Sequence, residues 1–589
     1  MSIVQLDKVT FVGMTEDRER LLQDLQESGC LHIEPFAAES ENQNAAGPGA
    51  GAREALQFLR DYPQRRRQSR DTKRFDALAV ERQVLDVRQH LQALSDERDF
   101  LIKRIQDMRP WGDFEFSPLS EMGGLRLWFY AIPHRDRVLI RDLPLSHEIV
   151  KKDSRYYYVV VISENEPESM PVNRTHIGSQ PRHQLEAHLE EVELAIEDLQ
   201  AERAYLTRWY SLLRDNVATL EDKAALDAAQ NQSYTRTGMF ALRGWVPHTR
   251  LAELESYTRQ HGVHIDARDV QPDDNPPTFL DNPPWLAAGE DLVNFYMTPG
   301  YRTWDPSQIV FISFALFFAM ILADAGYALL LGAVLLSFWR KMGASPGGRR
   351  FRPLCLAIVV FSLLYGMLIG SYFGVTPPEG SLLASLHLLD MSDTNLMMAI
   401  SVFIGCIHVI LGAALDAARH KNRVEGLESV GWASIVAGGL AFLLSTAFAP
   451  SVLKPLSVVL AGVGVLLVLL FAAPFEKPLS RMLKGLLGLT KLSGAFGDVL
   501  SYLRLFALGL ASGSLAAEFN NMAMGIHDAM PGVGIFFAFL VLLLGHAVNL
   551  LLGLASALIH GLRLNVIEFF NWGLKEEGSL FKPFRRRGL

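Results

Sequence analysis

The sequence predicts a two-part membrane protein. The expected fold joins N-terminal cytoplasmic α+β lobes through an antiparallel coiled coil and adds a C-terminal bundle of eight transmembrane helices, the last two long and tilted. Charged, turn-rich sequence extends to about residue 306, and long apolar runs follow it. Each run suffices for a bilayer-spanning helix of about 20 residues. We therefore expect a stalk-like cytoplasmic domain over residues 1–300 and a transmembrane domain over 301–589.

The composition excludes several classes of protein. A net charge of −8 speaks against nucleic acid as a partner. The three cysteines, Cys30, Cys355 and Cys406, lack the spacing of a metal site or a disulfide framework, so we expect neither a metal nor another cofactor. The first ten residues show no basic region followed by an apolar core, so no cleavable signal peptide is expected. The sequence contains no Gly-x-x-x-x-Gly-Lys-Ser/Thr loop, and we expect no ATP hydrolysis by the chain itself.

The first half alternates between β-prone and amphipathic segments. Residues 1–36 indicate strand, helix and strand, with Gly29 suited to end the helix. Segment 37–52 is rich in Ala, Gly, Asn and Glu, which is typical of a loop. Four further strands and one helix are predicted, the strands at 125–132, 156–162, 237–247 and 263–266 and the helix at 250–261.

Two helical arms with heptad spacing are predicted near residues 84–110 and 185–213. A globular insert separates them, so their pairing would give one antiparallel coiled coil. The alternative is two ordinary amphipathic helices packed on a domain. The apolar positions are Val84, Val87, Leu91, Leu94, Leu101, Ile105 and Met108 in the first arm and Leu185, Leu189, Val192, Ile196, Leu199, Leu206 and Leu213 in the second.

Basic residues cluster in alternate loops between the apolar spans, while the loop 375–394 has no Lys or Arg. The positive-inside rule then predicts eight spans with both termini in the cytoplasm. The first two spans meet at a very tight turn near Asp324. The spans lie near 307–323, 325–340, 354–374, 395–415, 430–449, 454–473, 493–523 and 533–571, and the basic residues are Arg340, Lys341, Arg349, Arg350 and Arg352, then Arg419, Lys421 and Arg423, then Lys477, Arg481, Lys484 and Lys491, and finally Arg585, Arg586 and Arg587.

Arg504 is the strongest functional candidate, because it lies in the apolar run 498–511. A guanidinium stays protonated, and holding it at bilayer depth costs at least about 2.5–3.5 kcal/mol. No acidic residue lies three, four or seven positions from Arg504, which is one or two turns along the same helix face, so its counter-charge is expected from another helix or another protein. The alternative is an arginine at a helix end that snorkels to the headgroups.

Arg563 is the second intramembrane arginine. His560 lies three residues before it on the same face, and Glu568 follows about a turn and a half later. A structural salt bridge between Arg563 and an acidic residue such as Glu568 is the alternative to a functional role. Glu518 lies fourteen residues after Arg504 on nearly the same face, about 21 Å along the axis, and is a candidate for an aqueous access path. Weaker candidates for polar half-channel residues are Ser501, Asp498, His408 and His546. The two histidines, like Asp416 and His527, are equally compatible with a role as hydrogen-bonded packing residues.

Two buried arginines on different helices form a positive centre in a low-dielectric setting. Such a centre attracts a carboxylate, favours its ionised form and repels a passing cation. An ion pump needs this arrangement between two half-channels, because a moving carboxylate releases its ion on one side and reloads from the other.

At this level of detail the chain resembles the membrane stator subunit of the rotary V-type and A-type ATPases, called subunit a in eukaryotes and subunit I in prokaryotes. The resemblance covers essentially the whole length. It is carried by residues 243–247 (Arg-Gly-Trp-Val-Pro), 274–283, 305–306, 317–318, 324–327, 366–374, 405–408 (Gly-Cys-Ile-His), 498–511, 560–564 (His-Gly-Leu-Arg-Leu) and 581–584 (Phe-Lys-Pro-Phe).

The resemblance implies a non-catalytic subunit that couples proton or sodium translocation to ATP hydrolysis or synthesis. Its cytoplasmic half would link peripheral stalks to the membrane sector, and its membrane half would face a ring of proteolipid subunits, each with an essential carboxylate. Central-stalk and catalytic ATPase subunits would be further partners in the complex. Arg504 matches the family's essential arginine, and Arg563 matches the second arginine. The motifs also imply a prokaryotic plasma membrane.

Two positions depart from the family pattern. Gly553 stands where many relatives have an acidic residue ten positions before the second arginine, and Lys491 stands where prokaryotic relatives often show a glutamate. Both departures concern the half-channels.

Two rival classes of protein are less well supported. A secondary transporter would usually show internal repeats, which the spans lack, and a signalling receptor would not need arginines at bilayer depth.

Overall fold

The computed structural model describes residues 2–36, 50–64, 66–113, 123–136, 145–167, 170, 172–177, 180–420, 423–448, 452–574 and 576–586. Most of the predicted loop 37–52, together with Lys421 and Arg587, lies outside these residues. The chain divides into two compact units. The large unit comprises Met1–Phe11 and Arg243–Pro583, and the small unit comprises Val12–Leu242 and Phe584–Leu589.

Among the described residues, eight strands form two sheets. One sheet has the order β2-β7-β1-β8, with β6 forming a hairpin with β7, and the other is an antiparallel sheet of order β3-β5-β4. The strands are β1 (Leu6–Met14), β2 (His32–Glu34), β3 (Arg126–Pro133), β4 (His147–Lys152), β5 (Tyr156–Ser163), β6 (Tyr234–Arg236), β7 (Met239–Pro247) and β8 (His264–Asp269).

The helices of the first half are α1 (Arg18–Ser28), α2 (Ala50–Arg60), α3 (Ala77–Met108), α4 (Arg182–Leu206), α5 (Tyr210–Gln232) and α6 (His248–Gln260). The predicted strand, helix and strand of the first 36 residues are confirmed as β1, α1 and β2, and Gly29 ends α1 with a left-handed φ of 61°. Helix α2 begins inside the segment predicted as a loop, which is a missed element.

The two predicted arms correspond to α3 and α4, which pack on each other in the small unit. Buried apolar residues of the two helices, among them Leu101, Val192 and Ile196, share one cluster. The second arm is shorter than predicted, because a 3₁₀ turn at Thr207–Trp209 separates α4 from α5. The side chain of Gln68 binds at this break, donating to the carbonyl of Thr207 at 3.0 Å. The coiled-coil geometry itself stays a prediction.

The second half is built from helices α7 (Ala287–Tyr296), α8 (Ser307–Leu322), α9 (Ala325–Met342), α10 (Pro346–Ile369), α11 (Leu382–Ser385), α12 (Thr394–Arg419), α13 (Arg423–Phe448), α14 (Leu453–Phe471), α15 (Pro478–Leu489), α16 (Leu492–Leu500), α17 (Leu503–Ala529), α18 (Gly534–Arg563), a π-helix (Leu564–Phe569) and α19 (Phe570–Gly573). Helices α8, α10, α12, α13, α16, α17 and α18 contribute buried side chains to one apolar core in the large unit.

Six helical stretches of the described chain are long and apolar enough to cross a membrane, so the protein is a multi-pass membrane protein. They are Pro346–Ile369, Thr394–Arg419, Arg423–Thr446, Leu453–Phe471, Pro478–Ala529 and Gly534–Gly573. The first two predicted spans correspond to α8, a shorter apolar helix of 16 residues, and α9, whose last turn carries Arg340 and Lys341. The count of eight spans stays a prediction.

Asp324 makes the tight turn between α8 and α9. Ala323 adopts a left-handed φ of 49°, and Asp324 then caps α9 by accepting a hydrogen bond from the amide of Tyr327. Its carboxylate is 2% exposed and also accepts from the Ser371 hydroxyl at 2.6 Å and from the amides of Phe373 and Gly374 at 2.9 Å. Three of these four donors follow the end of α10, so the carboxylate fixes the turn against that end.

Candidate functional site

The guanidinium of Arg504 forms an ion pair with the carboxylate of Glu568. Nη2 of Arg504 donates to Oε1 of Glu568 at 2.5 Å, and the two side chains are 25% and 3% exposed. A carboxylate buried to this extent needs a cation at close range. The counter-charge of Arg504 is thus supplied by another segment of the same chain.

Arg563 approaches the same carboxylate oxygen. Its Nε lies 3.8 Å from Oε1 of Glu568, and its side chain is 49% exposed. The anticipated contact between Arg563 and Glu568 is present, but it is the longer of the two, so Arg504 is the main partner of Glu568. Because guanidinium groups stay charged, two arginines and one ionised carboxylate leave one net positive charge.

Glu568 lies in the π-helix, an element that the sequence pattern does not predict. Such wide turns occur mostly as short insertions in α-helices, frequently at functional sites. Asn565 supports the turn, because its side-chain amide donates to the carbonyl of Gly561 at 3.0 Å and its Oδ1 accepts from the hydroxyl of Ser313. The other oxygen of Glu568, Oε2, is buried and has no hydrogen-bond partner among the residues that the structure describes.

A break between α16 and α17 positions Arg504. Ser501 and Tyr502 form the break, and Arg504 is the second residue of α17. Nε of Arg504 donates to the carbonyl of Ser501 at 2.9 Å. Ser501, a predicted half-channel residue, therefore acts through its backbone. Tyr502 is fully buried, and its hydroxyl bonds to Nδ1 of the buried His408 at 2.8 Å.

A cavity of about 250 Å³ lies beside the first part of α16, lined in part by Lys491, Glu428 and Asn571. Asp498 accepts hydrogen bonds from Asn571 at 3.1 Å and from the indole of Trp572, which also lines the cavity, at 2.8 Å. Asp498 thus holds in place Asn571 and Trp572, two of the residues that line the cavity. Lys491, one of the two departures from the family pattern, places a cation at its edge.

A second polar network joins α9, α17 and α18. The hydroxyl of Tyr327 bonds to Nδ1 of His546 at 2.7 Å and accepts from Asn549 at 3.0 Å, and Nε2 of His546 lies 3.0 Å from Oδ1 of Asn520. His546, a predicted half-channel residue, is therefore held by two neighbours. The Ser512 hydroxyl extends the network by donating to Oδ1 of Asn549 at 3.5 Å.

The remaining predicted residues lie outside the ion pair. Glu518 is exposed on α17. His560 is half-buried, and its Nδ1 has no hydrogen-bond partner in the described part of the chain. A Cβ atom placed at Gly553 would lie 3.7 Å from the Ser512 hydroxyl, so an acidic side chain there would meet α17. His527 and Asp416 bond to near neighbours, Asp528 and Arg419.

The fold and this site define a multi-pass membrane protein in which two arginines meet one buried carboxylate. The model of the V-type ATPase 116kDa subunit family matches residues 494–586, which contain Arg504, Arg563 and Glu568. The chain is 26% identical to V-type ATP synthase subunit I of Chlamydia pneumoniae, over 90% of this chain and 88% of that protein. It is 28% identical to A-type ATP synthase subunit I of Methanocaldococcus jannaschii, over 61% of this chain and 58% of that protein.

The resemblance inferred from the motifs is confirmed by these matches: the chain is similar to subunit I of V-type and A-type ATP synthases. A solved structure described as the cytoplasmic N-terminal domain of subunit I, homolog of subunit a, of V-ATPase is 18% identical and covers 44% of this chain and 100% of that chain. Its TM-score of 0.17 is too low to bear on the fold.

Proposed function

We propose that this chain is the membrane stator subunit of a rotary V/A-type ATPase and forms, with a proteolipid ring, two half-channels for protons or sodium ions. The observation that carries the proposal is the ion pair of Arg504 and Glu568, with Arg563 at 3.8 Å. Among the described residues, these three groups leave one positive charge at the centre, which suits a single carboxylate presented by a partner.

Arg504 is the group that receives this carboxylate. Its side chain is 25% exposed, so part of it is accessible while it is bound to Glu568. A ring carboxylate that reaches it is held in the ionised form and cannot carry its ion past the arginine. Ions then cross only when the ring turns, and the chain itself performs no ATP chemistry.

The two polar regions beside the centre supply the ion access. The cavity near Lys491 and Asp498 is the candidate for the cytoplasmic half-channel. The network of Tyr327, His546 and Asn549, with Glu518 exposed on the same helix as Arg504, is the candidate for the opposite half-channel. The alternate basic loops support eight spans with both termini in the cytoplasm of a prokaryotic cell.

The first half is proposed to anchor the peripheral stalks. The packing of α3 on α4 supports an antiparallel coiled coil, which can span distance and transmit force to the membrane part. Central-stalk and catalytic subunits would be reached through the complex.

The test is ATP-driven ion pumping by membrane vesicles that contain the assembled complex with Arg504→Gln. Pumping should vanish while ATPase subunits still copurify, because glutamine cannot hold a ring carboxylate in its ionised form. Arg419→Gln is the matched control, since Arg419 is also partly buried and ion-paired, with Asp416 at 2.8 Å, but lies outside the centre.

Near wild-type pumping by an intact Arg504→Gln complex would overturn the proposed role of the arginine. A chain that purifies from its own membranes without any ATPase subunit would overturn the stator assignment.

A further inference from the structure

One face of α12 forms a socket for two aromatic rings. A Cβ atom at Gly405 would lie 2.7 Å from the ring of Tyr502, and a Cβ atom at Gly412 would lie 3.2 Å from the ring of Phe569. His408 lies between these glycines, one turn from each, on the same face of the helix. The two glycines therefore leave the space into which the two rings fit.

His408 contacts both rings. Its Nδ1 bonds to the hydroxyl of Tyr502 at 2.8 Å, and its ring stacks on Phe569 with centroids 4.1 Å apart and planes 3° from parallel. Phe317 closes the cluster, its ring nearly perpendicular to those of His408 and Tyr502. Tyr502 and Phe569 are fully buried, and His408 is 6% exposed. A buried cluster of this density leaves little freedom for any of its rings.

Tyr502 and Phe569 lie next to the ion pair in the sequence. Tyr502 precedes Arg504 by two residues at the start of α17, and Phe569 directly follows Glu568 in the π-helix. Helix α12 thus contacts the segment that carries the cation and the segment that carries the anion. A shift of either ring would change the separation of the two charged groups.

We infer that Gly405, His408 and Gly412 form a positioning socket that sets the distance between Arg504 and Glu568. His408 is a positioning residue: it holds Tyr502 by a hydrogen bond and Phe569 by stacking. This inference rests on the proposed function of Arg504. It replaces the expectation of a half-channel role for His408, because Nε2 of His408 is buried and has no hydrogen-bond partner among the described residues.

The experiment compares ATP-driven pumping per ATP hydrolysed in vesicles with His408→Leu, His408→Asn and Tyr502→Phe. Leucine removes the hydrogen bond, and asparagine keeps a polar atom near the position of Nδ1. Phenylalanine at position 502 removes one oxygen atom and keeps the ring. We expect about a tenfold loss for His408→Leu and Tyr502→Phe, and substantial recovery in His408→Asn, because small displacements of reacting groups are costly.

Gly405→Ala provides a second route to the same displacement. Its matched control is Gly439→Ala, since a Cβ atom at Gly439 would meet no heavy atom within 4 Å. Gly405→Ala should lower pumping per ATP, and Gly439→Ala should leave it unchanged. Unfolding midpoints and subunit content are measured for every variant, and Tyr502→Phe decides the question if His408→Leu fails to assemble.

Reduced pumping at an unchanged unfolding midpoint supports a positioning role. Pumping that is unchanged in Tyr502→Phe, or that falls only in step with the midpoint, overturns it and leaves a packing cluster. Arg504→Gln in the same assay separates the two proposals. If Arg504→Gln still pumps, the proposed function fails; if it is inactive while Tyr502→Phe and His408→Leu pump normally, only the positioning socket fails.

Discussion

Arg504 and Glu568 are 64 positions apart in the sequence, and their charged groups meet at 2.5 Å. The pair brings the start of one long apolar helix against the π-helix that follows another. A charged hydrogen bond in a site of low dielectric is stronger than one in water, provided that both partners stay in place. The strength of the ion pair therefore depends on the local backbone at positions 501–504 and 564–569 as much as on the two side chains.

Replacing Glu568 by Gln should destabilise the purified chain. Arg504 and Arg563 would then face each other without a carboxylate, so the free energy of unfolding should fall by about 1.5–3 kcal/mol. Chemical unfolding of the purified chain in detergent measures this change in the free energy of unfolding. Glu518→Gln, at an exposed position of the same membrane region, is the control and should change the value by less than about 0.5 kcal/mol. Equal effects of the two variants would contradict a stabilising pair.

Arg563→Gln should cost less stability than Arg504→Gln. Arg563 is 49% exposed and 3.8 Å from Glu568, so its contribution is expected to stay below about 1 kcal/mol. Arg504→Gln removes the close partner of a carboxylate that is 3% exposed, which leaves a buried charge poorly compensated. Unfolding of both variants in the same detergent gives the order, and a larger loss for Arg563→Gln would refute the assignment of Arg504 as main partner.

Asp324→Asn should loosen the turn between α8 and α9. Oδ1 of Asp324 accepts from the amides of Tyr327 and Phe373, and Oδ2 accepts from Ser371 and Gly374. An amide group must place its NH₂ against two of these donors, so we expect a loss of about 2–4 kcal/mol in unfolding free energy.

Asp393→Asn is the matched control for the turn. Asp393 is exposed and caps α12 through a single bond to the amide of Leu396 at 3.1 Å. Asparagine caps a helix about as well as aspartate does, so this variant should be nearly neutral. If Asp324→Asn proved equally neutral, the four bonds of Asp324 would not stabilise the fold.

The pairing of α3 and α4 should weaken as the pH rises. Hydrogen bonds from His188 to Glu97 at 3.0 Å and to Glu191 at 3.5 Å raise the pKa of His188 above its ordinary value. A raised folded-state pKa gives a stabilisation that is complete below the unfolded pKa of about 6.5 and is lost as the pH passes the folded pKa.

Hydrogen exchange of the α3 and α4 amides, corrected for intrinsic rates, measures this effect between about pH 5.5 and pH 8.5. His188→Gln should lower protection at the acidic end and match the wild type at the alkaline end. His90→Gln removes a contact within α3, to Asp86, and serves as the control. Equal protection of His188→Gln and the wild type at low pH would show that the hydrogen bond between His188 and Glu97 does not stabilise the pairing of the two helices.

The general organisation of this protein follows from its sequence. Apolar runs of bilayer length after residue 306 predict a membrane part, because a buried backbone must form helices there. Arg504 is recognisable as a functional candidate for the same reason: a permanent charge in such a run is costly and needs a partner. The alternation of β-prone and amphipathic segments likewise predicts β1, α1 and β2.

The tertiary structure alone decided which groups meet. The sequence offered Glu568 as a partner of Arg563 on helical spacing, but the π-helix shifts the carboxylate to Arg504, and an insertion of this kind has no periodic signature. The spacing of Gly405, His408 and Gly412 places them on one helical face, yet the rings that fill the socket come from segments about 90 and 160 positions later. Local periodicity reports which face of a helix is buried, whereas the identity of its neighbours depends on contacts between distant segments.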